Sequence, residues 1–104
     1  MKKDISFSYE KIRSSHDLKC PNNFNFGFDI ISDKYGKSEK TALIAIQKST
    51  KKVQKISYKE LNENSSKFAN ALKNFGIKKK DNILVILPRI PEWYYCILGC
   101  SKVG

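Results

Sequence analysis

The chain has 104 residues, with 20 Lys and Arg against 10 Asp and Glu, and carries a formal net charge of +10. That length holds one domain at most. With 40% hydrophobic and 12% aromatic residues it has the material for a core, which excludes wholesale disorder as well as collagen-like and low-complexity classes.

Residues 1–23 show no clean periodicity and are expected to form an irregular N-terminal segment, with Cys20-Pro21-Asn22-Asn23 as a turn. From Phe24 the pattern changes. Phe24, Phe28, Ile31 and Tyr35 recur at helical spacing and Gly36 follows as a stop, which predicts a helix of about three turns. Thr41 to Gln47 and Val53 to Ser57 read as two strands of a hairpin, joined by the polar run Lys48-Ser49-Thr50-Lys51-Lys52. Ser57 and Glu60 then stand at the positions of a capping box. They open a helix from Tyr58 to Phe75, whose apolar stripe is Leu61, Phe68, Leu72 and Phe75, filled in by Ser65 and Ala69. Gly76 fits a left-handed C′ stop.

Ile83-Leu84-Val85-Ile86-Leu87 is apolar at every position, the pattern of a strand in a parallel sheet covered on both faces. Pro88 ends it. Pro91 and Glu92 suit the first turn of a further helix, Trp93 to Gly104, which is apolar nearly all round and so asks for burial. The expected class is α/β: helix, β-hairpin, helix, buried parallel strand, helix. A doubly buried strand and an all-round apolar helix need covering layers that this pattern does not provide. The chain is therefore expected to be an incomplete, C-terminally truncated portion of a larger domain, with residues 24–104 as the partial domain.

The apolar runs fall far short of the ~20 residues of a membrane-spanning helix, and the N-terminus builds no hydrophobic signal segment. A cytosolic protein is expected. Three cysteines, Cys20, Cys96 and Cys100, have no disulfide-scaffold spacing and are read as free thiols. Cys96 and Cys100 lie one helical turn apart, but the one histidine, His16, is distant, so they read as small buried hydrophobes and not as metal ligands. The charge is spread evenly, +5 in residues 1–52 and +5 in residues 53–104, and 18 of the 20 basic residues are Lys. Lys48, Lys51 and Lys52, and Lys78 to Lys80, fall in expected turns with no interleaved aromatics for base stacking. These features describe a solvated surface, with a small nucleic-acid-binding module as the weaker alternative.

No glycine-rich phosphate loop, Ser-His-Asp set or Cys-His pair is present, and Asp29, Asp33, Glu60 and Glu63 sit at helix surfaces or caps. No residue is assigned a catalytic, cofactor-binding or metal-binding role. Arg89 and Trp93, at the C-terminal edge of the expected strand, are where an α/β protein can place ligand contacts, although packing or surface roles are the stronger reading.

The runs Phe24-Asn25-Phe26-Gly27-Phe28-Asp29, Thr41-Ala42-Leu43-Ile44, Ile56-Ser57-Tyr58-Lys59-Glu60-Leu61, Asn70-Ala71-Leu72, Gly76-Ile77 and Leu87-Pro88-Arg89-Ile90-Pro91-Glu92-Trp93 together resemble the start of AMP-forming acyl-CoA synthetases. Their order and spacing are most similar to the medium-chain branch of that adenylate-forming superfamily. The resemblance implies an enzyme that joins a fatty acid to CoA through an acyl-adenylate, using ATP and Mg²⁺. It also implies that the phosphate loop, the nucleotide-contacting motifs and the catalytic lysine fall beyond Gly104, so the present segment is expected to be scaffold and inert alone. A subunit of a split synthetase, completed by a second chain, is the alternative.

Overall fold

The computed structural model describes residues 8–104. Its elements in order are helix α1 (Tyr9–Ser15), a π-helix (Phe26–Lys34), strands β1 (Thr41–Ile46) and β2 (Val53–Ser57), and helices α2 (Tyr58–Asn74) and α3 (Pro91–Val103). The class is α/β, as the sequence pattern indicates.

Helix α1 corrects the expectation of an irregular segment over the part of residues 1–23 that is described; residues 1–7 lie outside it. It is made by its ends. The Ser8 hydroxyl accepts a hydrogen bond from the Lys11 amide at 3.4 Å, Glu10 lies in the first turn, and no residue of the helix is buried. Its two large apolar side chains, Tyr9 and Ile12, stay exposed, and a helix of seven residues is too short to show a periodicity.

The segment after Asn23 is helical, as expected, but wound more widely. The Tyr35 amide donates to the Ile30 carbonyl five residues back, at 3.2 Å. Asn25 caps it, its side-chain oxygen accepting from the Phe28 amide at 3.3 Å while the Asp29 carboxylate accepts from the Asn25 amide at 2.6 Å. The wider winding spreads residues that are spaced for 3.6 per turn, so Ile31 is buried while Phe28 stays exposed; Phe24, also exposed, lies ahead of the helix and its Asn25 cap.

Strands β1 and β2 form the expected hairpin, antiparallel, with Ile46 opposite Val53 and Ile44 opposite Lys55, and with a register irregularity between Thr41 and Leu43. Gln47 lies just past β1, where its amide donates to the Lys52 carbonyl at 2.9 Å. Ile56 is the most deeply buried apolar side chain of the pair.

Helix α2 follows directly. Both halves of its capping box form: the Glu60 amide donates to the Ser57 hydroxyl at 3.2 Å, and the Glu60 carboxylate accepts from the Ser57 amide at 2.9 Å. Leu61, Ser65 and Ala69 are buried one turn apart, the stripe that packs on α3. The expected stripe is too long by one residue. Phe75 is 85% exposed because it is the C-cap, where the chain leaves the helix and Gly76 takes φ +85°.

The largest difference concerns residues 83–87. Among the described residues the one sheet is the two-stranded antiparallel hairpin, and residues 83–87 belong to no strand. Ile83 and Val85 are half-buried, but Leu84 and Ile86 are 84% and 81% exposed, so the segment is not buried on both faces. A strand exists through its hydrogen-bonded neighbours, and none of the described residues supplies one. Helix α3 is present with Pro91 in its first turn, yet only Gly99 and Lys102 are buried, while Trp93, Tyr94 and Ile97 remain partly exposed.

Candidate functional site

Two places concentrate chemistry. The first is an open groove of about 1190 Å³ between the hairpin and residues 87–94. Its hairpin wall includes Ile44, Ile46 and Val53, each more than half exposed. The opposite wall is the Pro-bracketed turn from Leu87 into α3, and both Arg89 and Trp93 line it. The turn is fixed by Pro88 and Pro91 and by the Trp93 amide, which donates to the Ile90 carbonyl at 3.1 Å. Arg89 forms no ion pair among the described residues. Trp93 stacks edge-on against Tyr94, with ring centroids 5.3 Å apart. The sequence therefore singles out two residues that do share a groove, although the strand meant to carry them is absent. The arrangement offers mainly apolar walls interrupted by the charged side chains of Lys52, Arg89 and Glu92.

The second place is a buried polar junction that sequence reasoning missed. Lys102 is 4% exposed on α3. Its ammonium donates to the Asn62 backbone carbonyl at 3.3 Å, to Asn62 Oδ1 at 2.8 Å and to Ser66 Oγ at 2.8 Å, so all three protons have acceptors. Asn62 Oδ1 also accepts from the Ser32 hydroxyl at 2.7 Å, which ties the π-helix into the same network. The Asn25 amide side chain adds a bond to the Ser101 carbonyl at 2.8 Å. Burial away from any carboxylate pushes the Lys102 ammonium below its ordinary range. The Phe28 ring, 5.9 Å from the ammonium, offers its face instead of a counter-ion. Lys102 reads from sequence as an ordinary basic residue in a last helical turn. The available signal was its position three residues after Gly99, which places it on the face that meets the small and polar stripe of α2.

The remaining sequence-nominated groups stay apart. His16 is the exposed C-cap of α1. Asp29 and Glu60 are caps, and Asp33 and Glu63 are exposed. Glu39 holds the Lys59 ammonium at 3.0 Å and, with Glu63, raises it above its ordinary range. Lys48, Lys51 and Lys52 do occupy the hairpin turn. Lys78 to Lys80 occupy the turn closed by the Asp81 carboxylate on the Lys78 amide at 2.7 Å. Among the described residues no cluster of three His, Cys, Asp or Glu side chains could hold a metal ion, and no helix is long and apolar enough to cross a membrane.

Cys96 and Cys100 are free and half-buried on α3, and burial, aided at Cys96 by the charge of Glu92, pushes both thiols up. Cys20 is exposed. A soluble disulfide reagent at pH 8 is therefore expected to label Cys20 about tenfold faster or more than either α3 thiol, since the thiolate reacts and access limits it. Peptide mapping after timed quenching checks the order. Equal rates at all three would contradict the packing of α3.

Comparison with known proteins supplies what the geometry alone lacks. Residues 32–104 match the family model described as AMP-binding enzyme. An acetyl-coenzyme A synthetase of Bartonella quintana (strain Toulouse) is 50% identical over 50 residues, 48% of this chain and 8% of that protein. The acetyl-coenzyme A synthetase of Alcanivorax borkumensis is 49% identical over 49 residues, 47% of this chain and 8% of its own length, and that of Brucella abortus (strain S19) is 48% identical over 50 residues, with 48% and 8% covered. The chain thus spans under a tenth of the length of these curated relatives. No solved structure matches.

Proposed function

Because the chain belongs to the AMP-binding enzyme family, we propose that it forms an N-terminal part of an AMP-forming acyl-CoA synthetase and supplies scaffold, not catalytic groups. The observation that carries this reading is the family match over residues 32–104 combined with the placement of those residues: caps, a hairpin and two packed helices. In such an enzyme ATP and Mg²⁺ activate a carboxylic acid as its adenylate, and CoA takes up the acyl group. The chain has no glycine-rich phosphate loop and the described residues have no carboxylate cluster, so no step of that chemistry is assigned to them.

The identity of the acid rests on the relatives. Resemblance to the medium-chain branch points to a fatty acid, whereas the matched proteins carry the name acetyl-coenzyme A synthetase. That name supports acetate as the first acid to test, with octanoate as the second. Completion by a second chain bearing the missing motifs remains the alternative form of the same reading, and cytosolic placement suits either.

The purified chain is expected to show no acetate- or octanoate-dependent exchange of labelled pyrophosphate into ATP above a no-protein control. Exchange that scales with chain concentration and is lost on heat denaturation would overturn the scaffold assignment.

A further inference from the structure

We propose that Cys96 and Cys100 of α3 form a two-thiolate site for a soft monovalent cation such as Cu(I). Both lie within the α-helix Pro91–Val103, four residues apart, a spacing that stacks them on one face with their Cβ atoms about 5–6 Å apart. One ion can take both sulfurs at that separation. The sequence alone puts the pair down as small buried hydrophobes, yet each keeps part of its surface open and neither is in a disulfide. Burial foremost, then the Glu92 carboxylate one turn earlier, opposes ionisation of Cys96, and burial followed by Cys96 itself opposes ionisation of Cys100, so the three groups run down one side of the helix. Cys100 also lines a cavity of about 270 Å³ with Ile83, Val85, Ile97 and Val103, together with Lys78 and an Asp81 carboxylate already engaged by the Lys78 amide.

The donor set selects the ion. Among the described residues no third His, Cys, Asp or Glu side chain joins the pair, so the tetrahedral shell of structural zinc cannot close. Magnesium and calcium need shells of oxygen ligands that the site lacks. Two thiolates suit a soft ion that accepts low coordination, and Cu(I) is an ion that soft thiolate ligands select. Binding forms two S–Cu bonds and breaks two S–H bonds, with both protons passing to solvent and the copper staying Cu(I). The Glu92 carboxylate, which opposes a bare thiolate, favours the cation.

The test titrates the intact chain, reduced and under anaerobic conditions, with Cu(I) held by the chromophoric chelator bicinchoninate. The chain is expected to withdraw a single equivalent of copper, and Cys20→Ser should match it. Cys96→Ser and Cys100→Ser should each weaken uptake by more than about a hundredfold, since even a group behind a metal ligand is worth about ten- to a hundredfold. In the parent chain, loading should protect Cys96 and Cys100 from iodoacetamide and leave Cys20 labelled, a readout that needs no variant. An equal concentration of Zn(II) should not displace the copper. Unchanged uptake in either α3 variant that keeps the helical circular dichroism, loss of uptake in Cys20→Ser, or protection of Cys20 overturns the site. Displacement by Zn(II), copper held between two chains in size exclusion, or no uptake at all would do the same. None of these readouts involves ATP chemistry, so the site can fail while the synthetase assignment stands, and the reverse.

Discussion

Gly99→Ala is expected to destabilise the chain by about 2 kcal/mol, the net of about 3 kcal/mol of overpacking and about 1 kcal/mol returned by alanine's better helix propensity. A Cβ at position 99 would stand 2.7 Å from Phe68 Cδ1, 2.9 Å from the Ser65 carbonyl oxygen and 3.2 Å from the Ala69 amide nitrogen. The Phe68 ring can turn aside. The two backbone atoms belong to α2 and cannot move without parting the helices, the most extensively packed pair in the fold. Gly76 is the internal contrast, since its φ is +85° and nothing lies within 4 Å of a Cβ there, so Gly76→Ala should cost only about 1 kcal/mol of left-handed backbone strain. Urea unfolding followed by circular dichroism reads both. A Gly99→Ala midpoint equal to that of the parent chain would mean that α2 and α3 do not approach so closely.

Lys102 is the second sensitive point. Lys102→Ala should cost about 3 kcal/mol, because it empties the space of a long buried side chain and strips donors from Asn62 and Ser66. Lys102→Met should cost about 1 kcal/mol or less, since the stem is replaced, the charge no longer has to be desolvated, and Asn62 Oδ1 keeps the Ser32 hydroxyl as donor. The pH dependence has a definite sign. The Lys102 pKa is lower in the folded than in the unfolded chain, so the unfolded chain binds more protons between the two values and the parent gains stability as pH rises towards 10.5. Tyr95, Cys96 and Cys100 act oppositely: burial raises them in the fold, and their contribution is lost as pH climbs past their ordinary values of 10.0 and 9.0. Subtracting the Lys102→Met curve from the parent curve isolates the lysine, and the difference should move in favour of the parent with rising pH. A flat difference would show an ammonium that is hydrated in the fold.

What the sequence disclosed follows from how local each feature is. The capping box at Ser57 and Glu60, the Gly76 stop and the hairpin depend on residues a few positions apart, and all three appear where the pattern puts them. The π-helix depends on a winding that a 3.6-residue period does not describe, so its position was legible and the burial of its side chains was not. Residues 83–87 have the composition of a covered strand, but pairing is a long-range property, and the described residues provide no neighbour. Arg89 and Trp93 were nominated from strand-edge logic and share a groove because the Pro88–Pro91 turn holds them there. The Lys102 junction was invisible for the opposite reason. Each of its members, Ser32, Asn62, Ser66 and Lys102, is an unremarkable helix-surface residue in sequence, and only the meeting of three helices makes them a network.

The central claim, that residues 32–104 form a working scaffold of an AMP-forming synthetase, is tested most directly by grafting. In the acetyl-coenzyme A synthetase of Bartonella quintana, which is 50% identical to this chain over 50 residues, those 50 residues would be exchanged for the residues of this chain that match them. Acetate-dependent exchange of pyrophosphate into ATP would then be measured on the purified chimera. The scaffold account predicts exchange within about tenfold of the parent enzyme, because on that account the exchanged residues carry no catalytic group. A chimera that is folded by circular dichroism and retains nucleotide binding, yet exchanges no pyrophosphate, would contradict it.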